Sequence, residues 1–63
     1  MIDFIAATHV YSGMSLVLGN IRYRIASTKC FGEDKILLGL EFDKLKVTLM
    51  VNASDEICVY KEN

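Results

Sequence analysis

The leading candidates for a nucleophile, a base or a metal ligand in this sequence are His9, Cys30 and Cys58, with one carboxylate as a further metal ligand. Nucleophilic or acid–base catalysis needs a nucleophile within hydrogen-bond reach of a base that a third group holds in place. No spacing in the sequence brings His9 to either cysteine, and free cysteines on strands are usually small buried apolar residues. We therefore expect no enzymatic activity.

Metal and cofactor sites have equally little support in the sequence. Structural zinc sites carry ligands paired at short spacing, and the sequence contains no CxxC and no HxxxH pattern. It also contains no GxGxxG and no GxxxxGKS/T, the glycine-rich patterns that hold phosphate groups. We expect neither a metal nor a cofactor.

The segment NIRYRIASTKCF, residues 20–31, carries two arginines that a partner could contact. Arg22 and Arg24 alternate with apolar and aromatic residues, and this period of 2 is typical of a strand with one buried face. The arginines then lie on the outer face, with Tyr23 on the core side. Two interpretations remain open for them, which are simple solvation and contact with a partner.

Two hairpins are predicted to position these side chains. A two-residue loop sets its flanking residues opposite each other on one face, and Gly19-Asn20 and Asp43-Lys44 both read as such loops. Every side chain on the faces that result is apolar or aromatic: Met14, Leu16 and Leu18 with Ile21, Tyr23 and Ile25, then Ile36, Leu38, Leu40 and Phe42 with Leu45, Val47, Leu49 and Val51. We predict that these faces form the core.

The ends of the chain leave alternatives open. Residues 2–11 read as a strand, and a turn at Ser12-Gly13 makes its core face Ile5, Ala7, His9 and Tyr11. A three-residue loop instead selects Phe4, Ala6, Thr8 and Val10. In the final strand, 57–61, the side chains that point outward are either Ile57, Val59 and Lys61 or Cys58 and Tyr60. Gly39, inside a strong strand, predicts a bulge or a sharp bend.

Together these elements predict a single small all-β domain, residues 1–63. We expect five to six short antiparallel strands in a meander, curled into a small barrel or half-barrel. This is the size class of SH3-like and OB-like barrels, a resemblance in length and strand count alone.

The composition favours a protein that associates with itself. A chain of 63 residues buries only about 60% of the surface that its unfolded form exposes, yet 52% of this chain is hydrophobic. We therefore expect a homo-oligomer, a dimer, that uses the outer sheet face. No apolar run is long enough to span a membrane and no secretory signal is recognisable, so we expect a cytoplasmic protein with no membrane partner.

The outer face combines apolar and charged side chains, as protein interfaces do. On residues 14–29 its members include Val17, Arg22, Arg24, Ala26 and Thr28. Cross-strand pairing with Glu41 would give the arginines a purely structural role. The polar loops 31–35 and 52–56 could engage a basic groove on a target. The candidate partner-binding residues are Arg22, Arg24, Leu37, Met50, Glu33, Asp34, Asp55 and Glu56.

We expect a non-enzymatic protein-interaction module, and we expect the chain to be a complete gene product. In size and composition it resembles virus- or mobile-element-encoded inhibitors that occlude a larger host protein. One alternative is a small β-barrel that binds nucleic acid through Arg22, Arg24, Lys29 and Lys46, with Tyr60 or Phe31 for stacking. The net charge of −1 lowers that expectation. A second alternative is a homo-oligomer that sequesters a nucleotide between arginines related by a twofold axis.

Overall fold

A computed structural model describes residues 1–61, and nearly all of its regular structure is β. Its strands form a single antiparallel sheet in the order β1-β6-β2-β3-β4-β5. They are β1 Ile2–Ala6, β2 Ser15–Leu18, β3 Ile21–Phe31, β4 Lys35–Phe42, β5 Leu45–Asn52 and β6 Glu56–Tyr60, with a 3-10 helix at Ala7–His9. The predicted small antiparallel β fold is confirmed.

Both predicted hairpins have the expected loops and registers. Leu18 lies opposite Ile21, and Phe42 lies opposite Leu45. The first loop residue has a positive φ in each hairpin, 64° at Gly19 and 56° at Asp43. Glycine adopts this conformation without steric cost, and aspartate is among the few other residues that tolerate it.

The connection between β5 and β6 requires the sheet to curl. Only residues 53–55 join these strands, although β5 and β6 are four positions apart in the strand order. In a flat sheet four strand spacings amount to about 19 Å. The short connection spans at most about 14 Å. The sheet therefore bends over its inner face as a half-barrel, with β1 and β5 as its two edges.

A β-bulge in β3 supplies part of this bend. Ile25 lies opposite Leu40 and Ser27 lies opposite Gly39, so Ala26 is an extra residue on β3. A Cβ at Gly39 would lie 2.5 Å from the Ser27 Oγ, so a larger residue here would require the Ser27 side chain to rotate away. A bulge does occur at the Gly39 row, but its extra residue belongs to β3 and not, as predicted, to the strand that contains Gly39.

The bulge also corrects the assignment of faces along β3. The uninterrupted alternation predicted that Thr28 lies on the outer face. Instead Thr28 lies opposite the buried Leu38, and Cys30 lies opposite the buried Ile36. One extra residue shifts the alternation by one, so the second half of β3 presents the opposite parity.

The prediction of one strand over residues 2–11 is wrong. β1 ends at Ala6, and the 3-10 helix that follows breaks the alternation of period 2. Ala7 and Val10 are therefore both buried, although the two alternative faces assigned them to opposite sides. A turn does occur at Ser12-Gly13, where the Met14 N–H donates to the Tyr11 carbonyl at 3.3 Å. It does not form a hairpin, because β1 pairs with β6.

The final strand shows which of its two possible faces is buried. Ile57 and Val59 are 7% and 1% exposed, so Cys58 and Tyr60 point outward. β6 begins at Glu56, one residue earlier than predicted, and it lies between β1 and β2. Strands β2 to β5 form a meander, and β6 returns to pair with β2 at the start of that meander.

The core is narrower than the two hairpin faces predicted. Its fully buried large side chains are Leu16, Ile25, Leu38, Leu40 and Val59. The registers along β5 are as predicted, but Leu45 is 64% exposed, Val47 is 44% exposed and Phe42 is 41% exposed. The prediction that these three are core residues is wrong, as it is for Leu18 and Ile21, which are 51% and 38% exposed. Leu45 and Val47 lie on β5, an edge strand at the open side of the half-barrel. Phe42, Leu18 and Ile21 flank the two hairpin loops, at the ends of their strands.

The helical content of residues 1–61 is limited to the three-residue 3-10 segment. A membrane-spanning helix takes about 20 residues. No helix in the described part of the chain is long and apolar enough to cross a bilayer.

Candidate functional site

A mixed apolar and cationic surface lies on the outer face of β1, β6, β2 and β3. We call it the outer-face patch and define it by Ile2, Phe4, Arg22, Arg24 and Tyr60. Cross-strand pairing aligns part of it in one row, in which Ile2 lies opposite Tyr60, Tyr60 opposite Ser15, and Ser15 opposite Arg24. The antiparallel registers therefore collect residues from both ends of the chain on one surface.

Arg22 and Tyr60 form the most specific contact of the patch. The Arg22 guanidinium carbon lies 4.2 Å from the centre of the Tyr60 ring, within the range of a cation–π interaction. The two side chains reach each other across β2, which separates β3 from β6. The stack holds a cationic group over an aromatic ring while both remain accessible to a partner.

Arg24 is held differently, by a carboxylate on the neighbouring strand. Its Nη1 donates to Glu41 Oε1 at 2.9 Å, and the two residues lie directly opposite each other on β3 and β4. The structural pairing considered for the arginines is thus present for Arg24. It also lowers the positive charge that Arg24 could offer to a phosphate group. Among residues 1–61, Arg22 forms no such ion pair.

Two large apolar side chains extend the patch beyond Tyr60, on the far side of β6 from the arginines. Phe4 is 62% exposed and Ile2 is 55% exposed, on the edge strand β1. Neither was among the residues selected from the sequence, because the face of residues 2–11 was undecided. The local alternation gave no signal for their exposure, since a polar Asp3 between Ile2 and Phe4 favours burial of the two apolar side chains. Only the β1–β6 register places them on the outer face.

Leu37 and Met50 occupy a different part of the outer face. They lie directly opposite each other on β4 and β5, Leu37 half-buried and Met50 48% exposed. The Gly39–Thr48 row separates them from Glu41, about 13 Å along the strand. The structure therefore does not bring these two residues together with Arg22 in one patch, as the prediction of a common surface required.

The two acidic loops meet at one end of the molecule. The Ala53 N–H donates to the Asp34 carbonyl at 2.7 Å, and Lys35 Nζ donates to Asn52 Oδ1. Glu33, Asp34 and Glu56 are exposed there. The structure thus brings together at one end the acidic side chains of two loops that are separate in the sequence.

Asp55, in contrast, has a structural role in the β5–β6 loop. Its Oδ2 accepts a hydrogen bond from the Asn52 N–H at 2.9 Å, and its carbonyl accepts one from the Ala7 N–H at 2.8 Å. These bonds tie β5 and the 3-10 helix to the same loop. They explain an aspartate here without any partner.

The residues considered for catalysis are far from forming a site. His9 is exposed at the end of the 3-10 helix. Cys30 is exposed as well, contrary to the expected burial, and lines an open cleft of about 170 Å³ to which neither His9 nor Cys58 contributes. Within residues 1–61 no three histidine, cysteine or acidic side chains are grouped to hold a metal ion.

Replacing both arginines should change stability little. An exposed cation–π contact contributes about 0.5–1 kcal/mol, and an exposed ion pair contributes about 0.2–1 kcal/mol. We therefore expect Arg22→Ala with Arg24→Ala to lower the free energy of unfolding by less than about 2 kcal/mol. Urea unfolding followed by circular dichroism measures this change. Loss of the folded state would make the arginines structural and remove them as candidate partner contacts.

Comparison of the chain with protein-family models, with curated proteins and with solved structures finds no match. The functional argument therefore depends on the geometry of the chain itself.

Proposed function

We propose that this protein is a non-enzymatic protein-interaction module that binds a larger protein through the outer-face patch. The observation that supports it most is the exposure of Phe4 and Ile2, 62% and 55%, beside the Arg22–Tyr60 stack. Interfaces characteristically combine aromatic and arginine side chains at an apolar centre with a charged rim. Leaving a large aromatic side chain in water disfavours the free state, and a partner that covers it recovers that free energy.

The chemistry of the patch defines the kind of partner surface that fits it. Phe4 requires an apolar pocket, and Arg22 requires a carboxylate near that pocket, because its guanidinium is already oriented over Tyr60. A module of 63 residues that covers such a surface acts by occluding it. The class that this proposal fits is the small inhibitor, encoded by a virus or a mobile element, that blocks a working surface of a host protein.

A second candidate function is binding of single-stranded nucleic acid, and one observation favours it. The Arg22–Tyr60 stack places a cation and an aromatic ring side by side on an exposed sheet face, as such binding requires. Two features weigh against it. The net charge is −1, and Glu41 pairs with Arg24. We therefore rank it below a protein partner.

The proposal predicts that Phe4→Ala weakens partner binding. The expected loss of affinity is at least tenfold, because truncating a central aromatic anchor typically costs about 2 kcal/mol or more. The tagged wild-type chain is used to capture material from a bacterial lysate, with and without nuclease. The captured protein is identified by mass spectrometry, and its affinity for each purified variant is then measured by titration calorimetry.

Phe31→Ala is the matched control, since Phe31 is 54% exposed at the far end of β3 and outside the outer-face patch. We expect this variant to bind like the wild type. Equal affinity of Phe4→Ala and wild type would place the interface elsewhere. If nuclease abolishes the capture, and if the capture requires Arg22, the nucleic-acid function would replace this proposal.

A further inference from the structure

The edge strand β5 has a free side that the proposed function does not use. It contains eight residues, Leu45–Asn52, and its only neighbour in the sheet is β4. The first four of these residues are all exposed, on both faces of the strand. Natural edge strands are commonly protected by proline, by charges or by a covering loop. β5 contains no proline, and Lys46 is its only charged residue.

The hairpin register identifies which backbone groups of β5 are unpaired. In a two-residue hairpin the pair that flanks the loop is hydrogen-bonded, and bonded pairs then alternate along the ladder. Starting from the Phe42–Leu45 pair, the odd-numbered residues of β5 point their N–H and carbonyl groups toward β4. The even-numbered residues point theirs away from the sheet: Lys46, Thr48, Met50 and Asn52.

Asn52 ends this row of free groups. Its N–H donates to Asp55 Oδ2 at 2.9 Å, and its carbonyl accepts from the Asp55 N–H at 3.0 Å. Both bonds agree with an outward orientation of the Asn52 backbone. The groups left without a partner within residues 1–61 therefore belong to Lys46, Thr48 and Met50, a set that is symmetric about Thr48.

We propose that β5 pairs with β5 of a second copy of this chain, antiparallel, about a twofold axis at Thr48. In this register Thr48 lies opposite Thr48 of the partner subunit, and Lys46 lies opposite Met50 of the partner subunit. Each bonded antiparallel pair exchanges two hydrogen bonds, so the three pairs satisfy every free group of the row. The two sheets then form one continuous sheet across the dimer.

The side chains select the same register. On the inner face it sets Val47 opposite Leu49 of the partner subunit, and Leu45 opposite Val51 of the partner subunit. These apolar pairs cover Leu45 and Val47, which are 64% and 44% exposed in the single chain. On the outer face it sets threonine against threonine, a favourable cross-strand pair.

Shifted registers are worse matches between two copies, and an axis at Val47 sets Met50 opposite Lys44, which lies in the β4–β5 loop and not in a strand. An axis at Leu49 puts Lys46 opposite Asn52, whose backbone groups Asp55 already occupies. An axis at Lys46 sets two like charges directly opposite each other, which is destabilising. The axis at Thr48 avoids all three conflicts. Because β1 and β5 are opposite edges of the sheet, this dimer leaves Phe4 accessible and displays the outer-face patch twice.

Charge substitutions at the axis test the dimer and its register. Thr48→Lys alone, or Thr48→Glu alone, places two like charges opposite each other, and we expect the dimer dissociation constant to rise at least tenfold. An equimolar mixture of the two variants places lysine opposite glutamate, and we expect the dimer to form again. Sedimentation velocity across a concentration series measures these masses. Circular dichroism verifies that each variant is folded.

Thr8→Lys is the matched control, an exposed threonine that lies outside β5, and it should dimerise like the wild type. A wild-type chain that stays monomeric up to millimolar concentration would overturn the proposal. A dimer that Thr48→Lys does not weaken would place the interface elsewhere. Failure of the mixture to restore a dimer lost in both single variants would refute the axis at Thr48.

Discussion

Leu38→Ala should lower the free energy of unfolding by about 2–5 kcal/mol, the range found when a buried leucine is truncated. Leu38 is 0% exposed in the middle of β4, where it lies opposite Thr28 on β3 and Leu49 on β5. These neighbours are fixed in ladders on both sides, so the sheet has little freedom to collapse into the space left behind. A domain of this length has a total stability of roughly 3–9 kcal/mol. We therefore expect a variant that loses roughly half of its stability and unfolds at a much lower urea concentration than the wild type.

Val47→Ala is the informative control for this result. The alternation of β4 and β5 assigned both residues to the core, but Val47 is 44% exposed on the edge strand. We expect its truncation to cost about 1 kcal/mol or less, because much of its surface is in water in either case. Urea unfolding at a concentration where the chain is monomeric compares the two variants. Equal losses of stability in the two variants would mean that β5 is covered in the single chain. That result would contradict an open half-barrel.

The hairpins could be predicted because two kinds of local information agree there. Gly19-Asn20 and Asp43-Lys44 fix the registers, and the alternation then fixes the faces. Both signals lie within a few residues of each other in the sequence. What alternation does not encode is how far a face is covered, since this depends on where a strand lies in the sheet. That is why the register of Val47 was right and its burial was wrong.

The ends of the chain could not be predicted by the same reasoning. β1 pairs with β6, and the two strands are separated by nearly the whole chain. No local signal specifies such a long-range partner. The 3-10 helix at Ala7–His9 has no side-chain cap that would have marked its start. Without the β1–β6 register, the exposure of Phe4 could not be inferred.

The candidate site, like the fold, could be predicted from the sequence only in part. The sequence placed Arg22 and Arg24 on the outer face, and the structure has them there. Glu41 was a candidate partner because the alternation put it on the same outer face, although no local register paired it with Arg24. The stack of Arg22 on Tyr60 could not be derived, because it joins β3 to β6 across β2. Cross-strand neighbours follow from local registers only within one hairpin.

Deleting Ala26 should destabilise the fold as severely as Leu38→Ala, by on the order of 3 kcal/mol or more, a large part of the stability of so short a chain. Ala26 is the extra residue of the β3 bulge, between Ile25 and Ser27. Without it Ser27 still lies opposite Gly39, so every downstream residue keeps its face and its partner. What is lost is the local bend and the increased twist that a bulge provides.

That bend is needed because the three-residue β5–β6 connection cannot cross a flatter sheet. A straightened β3 would move β5 away from β6 and open the core around Leu38 and Val59. Ala26→Gly is the matched control, since it keeps the residue count, and it should cost only about 1 kcal/mol. Thermal unfolding and near-ultraviolet circular dichroism compare the two variants. A deletion variant with wild-type stability would show that the sheet curls without the bulge, and that the bend resides in the twist of the strands themselves.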